Sequence, residues 1–282
     1  MTESHPYQNP VAQLLHFKKR TNWNDDWIDY STQFGFTQAD IPELIRLYSG
    51  EDWDDDFAAD RSIHALRAAT QLDPQVGLDT YIKLLCEFPE DEYLREEVYG
   101  MSKQVGEIAI APLTNIIDTY TDDPWLQIIG IGGLEEIGKA YPDLRDSCVQ
   151  ILIDRLKNYR DRKDDIVNST LINSLVDLKA VEASDLIREV FANVPIDEFV
   201  TGSWASVQVE LGLKQESDFL PEELKPDLPD YILNLRKESA FRKNDLGKGI
   251  LVGLTLPAKP VAKGFGSGSK DKKGKNNKKK KR

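Results

Sequence analysis

The chain has 282 residues, 40% hydrophobic and 30% charged, with a formal net charge of −12. That is enough apolar material for a core, and no run of about 18 apolar residues is present to span a membrane. Its two cysteines, Cys86 and Cys148, have no paired spacing, which excludes a disulfide framework and a cysteine-rich zinc site.

The opening Met1-Thr2-Glu3-Ser4-His5-Pro6 is polar and lacks the apolar run of a signal peptide, so a soluble protein of the cytoplasm is expected. The charge is divided. Eleven Lys or Arg and one acid lie between Lys259 and Arg282, so that segment carries +10 and the preceding 258 residues carry −22. An acidic body with a basic tail is two electrostatic objects on one chain.

In chain order, helical patterns are predicted first at 11–19, 27–34 and 41–48, with Thr37 and Asp40 close to a capping-box start. Trp23 and Trp27, four apart, would then share one helix face. This part, 1–56, is expected to cap the open end of the first helix pair. It ends in Glu51-Asp52-Trp53-Asp54-Asp55-Asp56, the densest acidic run, which suits the positive end of a helix starting near Phe57.

Helix pairs are predicted at 57–72 with 75–88, 92–105 with 108–120, 124–140 with 143–158, and 164–178 with 181–192. Asp73-Pro74 and Asp123-Pro124 read as a helix stop, an N-cap and an N1 proline. A large apolar residue closes each first helix, Leu72, Val105, Ile137 and Leu178, at separations of 33, 32 and 41 residues. Small residues stand about one turn earlier, at Ala68, Gly100, Gly133 and Ser174. A helix pair cannot bury its apolar stripe alone, so neighbouring pairs must cover one another. The expected fold is all-α, an α-solenoid of stacked antiparallel helix pairs over 57–213.

At Ile63-His64-Ala65-Leu66-Arg67-Ala68-Ala69, Ala109-Ile110-Ala111-Pro112-Leu113, Gly133-Leu134-Glu135-Glu136-Ile137-Gly138 and Leu178-Lys179-Ala180-Val181-Glu182-Ala183 the chain resembles HEAT-like repeat proteins, in particular bacterial ones related to the phycobilin-lyase repeat type. The resemblance implies an interaction scaffold, with pigment or cofactor handling in a minority of such proteins. It carries no functional residues over, because the shared motif is a packing motif. Beyond it, 214–258 reads as an irregular linker with a terminal helix near 231–243 and a Gly- and Pro-broken apolar run at 246–261. The tail 259–282 is expected to be disordered, ending in Lys278, Lys279, Lys280, Lys281 and Arg282.

Gly133 to Lys139 scans as a phosphate loop of form G-x-x-x-x-G-K. Ala140 stands where the magnesium-binding hydroxyl belongs, and Glu135 and Glu136 would put negative charge in a phosphate cradle, so the run is read as helix packing. His5, His16 and His64 form no i,i+4 pair, so zinc hydrolysis is not expected. No metal, cofactor or catalytic set is assigned.

Acids recur before successive first helices, giving Trp53, Asp54, Asp55, Glu90, Asp91, Asp122, Asp123 and Trp125 as partner-binding residues for a protein with a basic surface. Two further readings stand beside this scaffold: a nucleic-acid or ribosome-associated factor using the basic tail, and a bilin or cofactor lyase-like or chaperone activity. The tail is also expected to compete with a partner for the acidic edge.

Overall fold

The computed structural model describes residues 7–48, 56–89, 91–162 and 165–226. The expected helix at 231–243, the apolar run at 246–261 and the basic tail lie outside the described residues. So do the acidic run 51–55 and Glu90. The regular structure of the described residues is all helical, with no strand among them, and no helix among them is long and apolar enough to cross a membrane.

After a 3-10 turn at Val11–His16 come α1 (Tyr30–Phe34), α2 (Ile41–Tyr48), α3 (Ala58–Leu72), α4 (Pro74–Glu87), α5 (Glu92–Val105) and α6 (Ile110–Thr119). Next are α7 (Pro124–Ala140), α8 (Arg145–Leu156), α9 (Asp165–Asp177), α10 (Ser184–Asn193), α11 (Glu198–Thr201) and α12 (Trp204–Glu210). Asp73 caps α4 by accepting from the Gln75 and Val76 amides, with Pro74 in the first turn, where a missing N–H is no loss. The same Asp-Pro device starts α7.

Helices α3, α5, α7 and α9 contact one another in that order, and α11 lies against α9. Helices α4, α6 and α8 each contact the helix that comes after them in sequence. The long core is built from Leu66, Leu78, Leu94, Met101, Leu113, Leu134, Ile137, Leu152, Leu171, Leu175 and their neighbours, each buried. A second core joins Val11, Leu14, Tyr30, Phe36, Ile41 and Leu44 to Ala65, Ala68 and Ala69 of α3. The small residues Ala68, Gly100, Gly133 and Ser174 are all buried. Of the closing apolar residues, Ile137 and Leu178 are buried, whereas Leu72 and Val105 are half-buried.

The N-terminal segment departs from its expected helices. Only Tyr30–Phe34 of 27–34 is helical, begun by the Asp29 carboxylate accepting from the Thr32 amide. Trp23 and Trp27 therefore lie in an irregular stretch and share no helix face. The reason is tertiary: the Tyr30 amide donates to the Gln71 side chain of α3, and main-chain groups of residues 19–22 bond to Asp60, His64 and Arg67 of the same helix.

Glycine is demanded where α3 and α4 meet. A Cβ on Gly77 would stand 2.3 Å from Thr70 Oγ1 and 2.6 Å from Thr70 Cα. Helix propensity alone favours Gly77→Ala by about 1 kcal/mol; the overlap with backbone opposes it by about 1–3 kcal/mol. Gly77→Ala is therefore expected to lower the urea midpoint, and a raised midpoint would show that α3 and α4 separate without penalty.

Candidate functional site

The expected acidic edge forms from helix starts. The Asp91 carboxylate caps α5 by accepting from the Leu94 amide at 3.0 Å. Asp123 caps α7, accepting from the Trp125 and Leu126 amides at 3.0 and 3.2 Å. The Arg95 guanidinium stands 5.4 Å from the centre of the Trp125 ring, which sets the first turns of α5 and α7 side by side. Asp91, Glu92 and Asp122 are exposed there, while Asp123 and Trp125 are half-buried.

Of the expected residues, Asp91, Asp122, Asp123 and Trp125 thus share one edge. Trp53, Asp54, Asp55, Glu90 and the tail residues Lys278 to Arg282 lie outside the described residues. Two aromatic side chains missed in the sequence flank the acids: Phe88 is 55% and Tyr93 69% exposed. The available signal was their position, since each interrupts an acidic connection rather than an apolar stripe.

The phosphate-loop scan falls inside α7. Gly133 packs against Leu113 and Ser102, and Gly138 against Leu178. The Lys139 ammonium is occupied by carboxylates: it contacts Glu135 closely, Asp177 at 2.9 Å and Glu136 at 3.5 Å. Ser174 donates to Glu135 at 2.5 Å. Burial pushes the Glu135 carboxyl up to about 7, against the pull of Lys139 and Ser174. Cys148 is buried, which pushes its thiol up to about 11, and Cys86 accepts from the Tyr120 hydroxyl at 3.2 Å.

A second cluster, on α3 and α5, went unread in the sequence. Arg67 and Glu97 have side chains only 3% and 5% exposed. The guanidinium donates twice to the carboxylate, from Nε at 2.8 Å and from Nη2 at 2.5 Å. Nη2 also donates to the Asn22 carbonyl at 2.8 Å, and the Trp27 ring lies 5.3 Å from the guanidinium carbon. Burial pushes the Glu97 carboxyl up, while Arg67 pulls it back.

His64, beside them, donates from Nε2 to the Lys19 carbonyl at 3.1 Å, because a carbonyl only accepts. Its Nδ1 is then an acceptor, and the Tyr30 hydroxyl donates to it at 2.6 Å. This neutral tautomer satisfies both ring nitrogens. Burial, with Arg67 adding like charge, lowers the imidazole to about 4. A helical Arg or His among apolar neighbours gives no sequence sign of its partner, which here lies 45 residues away.

Comparison with protein-family models, curated proteins and solved structures finds no match to the chain.

Both buried groups can be tested through stability. Glu97→Gln leaves the Arg67 charge buried without its counter-charge and is expected to cost about 3–5 kcal/mol in urea unfolding. A loss within error of zero would mean that water reaches the guanidinium. His64 has a folded pKa of about 4 against an ordinary 6.5. The unfolded chain therefore takes the proton first, so the stability His64 contributes is intact above pH 6.5 and is lost as pH falls toward 4. Over that window the wild type should lose stability relative to His64→Gln. Parallel losses would place the titration elsewhere.

Proposed function

We propose that residues 57–213 form a HEAT-like α-solenoid and that the chain is a non-catalytic scaffold of the cytoplasm, binding a protein partner that has a basic surface. The contact order α3, α5, α7, α9 supports the stacked arrangement, since each first helix covers the apolar side of the next. The two free thiols support a reducing compartment.

The observation that carries the partner reading is the edge itself. Asp91, Glu92, Asp122 and Asp123 lie where α5 and α7 begin, and Phe88 and Tyr93, exposed, adjoin Asp91 and Glu92 in the chain. Carboxylates with aromatic faces suit Lys and Arg side chains, by ion pairing and by cation–π contact. Exposed aromatics supply anchoring area that charge alone does not. The −22 carried by the first 258 residues attracts a basic partner from a distance. The shifted groups Glu97, Glu135 and His64 are engaged by internal partners, which fits a structural rather than a chemical role for them.

The edge charge is separable from the caps, because asparagine caps a helix about as well as aspartate. The variant Asp91→Asn, Asp122→Asn, Asp123→Asn is expected to melt as the wild type does. Immobilised wild-type chain should retain basic proteins from a cell extract at low salt and release them near 0.5 M, where the Debye length falls to roughly 4–5 Å; the variant should retain few of them. Mass spectrometry that finds the same proteins on both, or no excess of basic ones on the wild type, would remove the edge reading.

A further inference from the structure

The stretch between the 3-10 turn Val11–His16 and α1 lies on α3 and α5 in a manner unlike the rest of the molecule. No residue from Phe17 to Asp29 is buried. Beneath it Asp60, His64, Arg67 and Glu97 are only 7%, 2%, 2% and 4% exposed. A strip in which Phe17, Thr21, Trp23, Trp27 and Ile28 are half-buried and the rest exposed thus covers a set of buried polar and charged groups. Phe17 and Ile28 pack on the N-terminal core and Trp27 on the long core, while residues 19–22 between them meet polar groups of α3.

The contacts address the main chain of the strip. His64 donates to the Lys19 carbonyl at 3.1 Å, and Arg67 to the Asn22 carbonyl at 2.8 Å. The Thr21 amide donates to Asp60 Oδ1 at 2.7 Å. The Trp23 carbonyl approaches α5 at Gly100, where a Cβ would lie 2.7 Å from it. Side chains add selectivity: Arg20 donates to Asp60 Oδ2 at 2.8 Å, and Trp23 packs edge-on against Tyr99 at 5.5 Å.

Among the described residues, the backbone–backbone hydrogen bond within 18–28 is that from the Asp25 amide to the Asn22 carbonyl. The strip is therefore recognised by the helices, as a bound peptide is, and does little to hold its own shape. Its ends are pinned by apolar packing, Val11 and Leu14 before it and Tyr30 and Phe36 after it. Opening it as a loop leaves both anchors seated.

We propose that the face of α3 and α5 beneath residues 17–29 is a peptide-binding site, occupied in cis by that strip, whose ligand in trans is a peptide with an arginine placed to meet Asp60. The main-chain contacts at Lys19, Thr21 and Asn22 hold the peptide backbone, and Asp60 selects the cation, as it does for Arg20. This site is separate from the edge at Asp91 and Asp122. The cis strip competes at the high effective concentration of a tethered ligand, so an intact chain masks the site until a peptide displaces it.

The test uses the full chain and a labelled synthetic peptide copying residues 16–30. The double variant Arg20→Ala, Thr21→Ala weakens the strip and leaves the Arg67–Glu97 pair intact. Hydrogen exchange should quicken within 17–29 while α3 and α5 stay protected. Fluorescence anisotropy should show the peptide binding this variant at least about tenfold more tightly than the wild type, the gain expected from removing a tethered competitor. A peptide carrying Arg20→Glu, which leaves the protein untouched, should lose that binding.

Exchange that spreads to α3 and α5 together with the strip would make it an integral part of the core and overturn the proposal. So would a peptide that binds neither chain, one that binds both alike, or an Arg20→Glu peptide that binds as well as its parent. None of these readouts involves the edge carboxylates, so failure here leaves the edge reading intact, and loss of the edge reading leaves this one standing.

Discussion

Arg67 and Glu97 meet with almost no access to water, and that pairing sets the register of α3 against α5. Removing two ions from water costs several kcal/mol each, and the attraction between them offsets this only when the geometry is good and the remaining donors are satisfied. The guanidinium fork meets the carboxylate through Nε and Nη2, and Nη2 also reaches the Asn22 carbonyl. An apolar contact between helices tolerates a slide of an ångström. A bidentate fork does not. Helices α3 and α5 are therefore fixed together, and the elements packed on α3 inherit that position. On one side this is the N-terminal core through Ala65, Ala68 and Ala69, and on the other α4 through the Thr70–Gly77 contact.

From α5 onward the same row is carried by a different mixture of forces. Tyr99 lies over Gly132, Leu113 and Ser102 meet Gly133, and Leu178 meets Gly138. At the rim, Lys139 links Glu135 to Asp177, and Arg145 donates to the carbonyls of Leu178 and Lys179. Exposed pairs such as Arg145 with Glu182 contribute little. The cohesion of the row rests on the burial of Leu134, Ile137, Leu171, Ile172 and Leu175, while the rim pairs select alignment. The acidic edge has its origin in the chemistry of helix starts. Each first turn leaves amide donors unpaired, an Asp satisfies them, and successive starts lie side by side.

How much of this could be read in advance differed by region. Between α3 and α10 the helices begin and end within a few residues of the expected limits, because apolar spacing and Asp-Pro punctuation are local signals. The same spacing misled at 27–34, where Trp27 lies outside α1. There the backbone meets side chains of α3, and no local pattern reports a partner so distant. The acids at 91, 122 and 123 were legible as a recurring charge before first helices; their gathering beside Phe88 and Tyr93 was not. His64 showed only the lack of an i,i+4 histidine partner; that it meets Tyr30 and the Lys19 carbonyl was not legible.

By itself the amino-acid sequence determined the helical class, the punctuation of the paired helices, the small residues on first helices and the separation of charge between body and tail. These depend on side chains a few positions apart, and helix geometry converts such spacing directly into faces. Only the tertiary structure decided that residues 17–29 lie as an irregular strip across α3 and α5, and that Arg67 takes Glu97 and the Asn22 carbonyl as partners. It also decided that Lys139 is engaged by carboxylates rather than held for a phosphate. Those outcomes join groups 30 to 45 residues apart, and which of them meet is chosen by the desolvation of buried charge, a property of the packed whole.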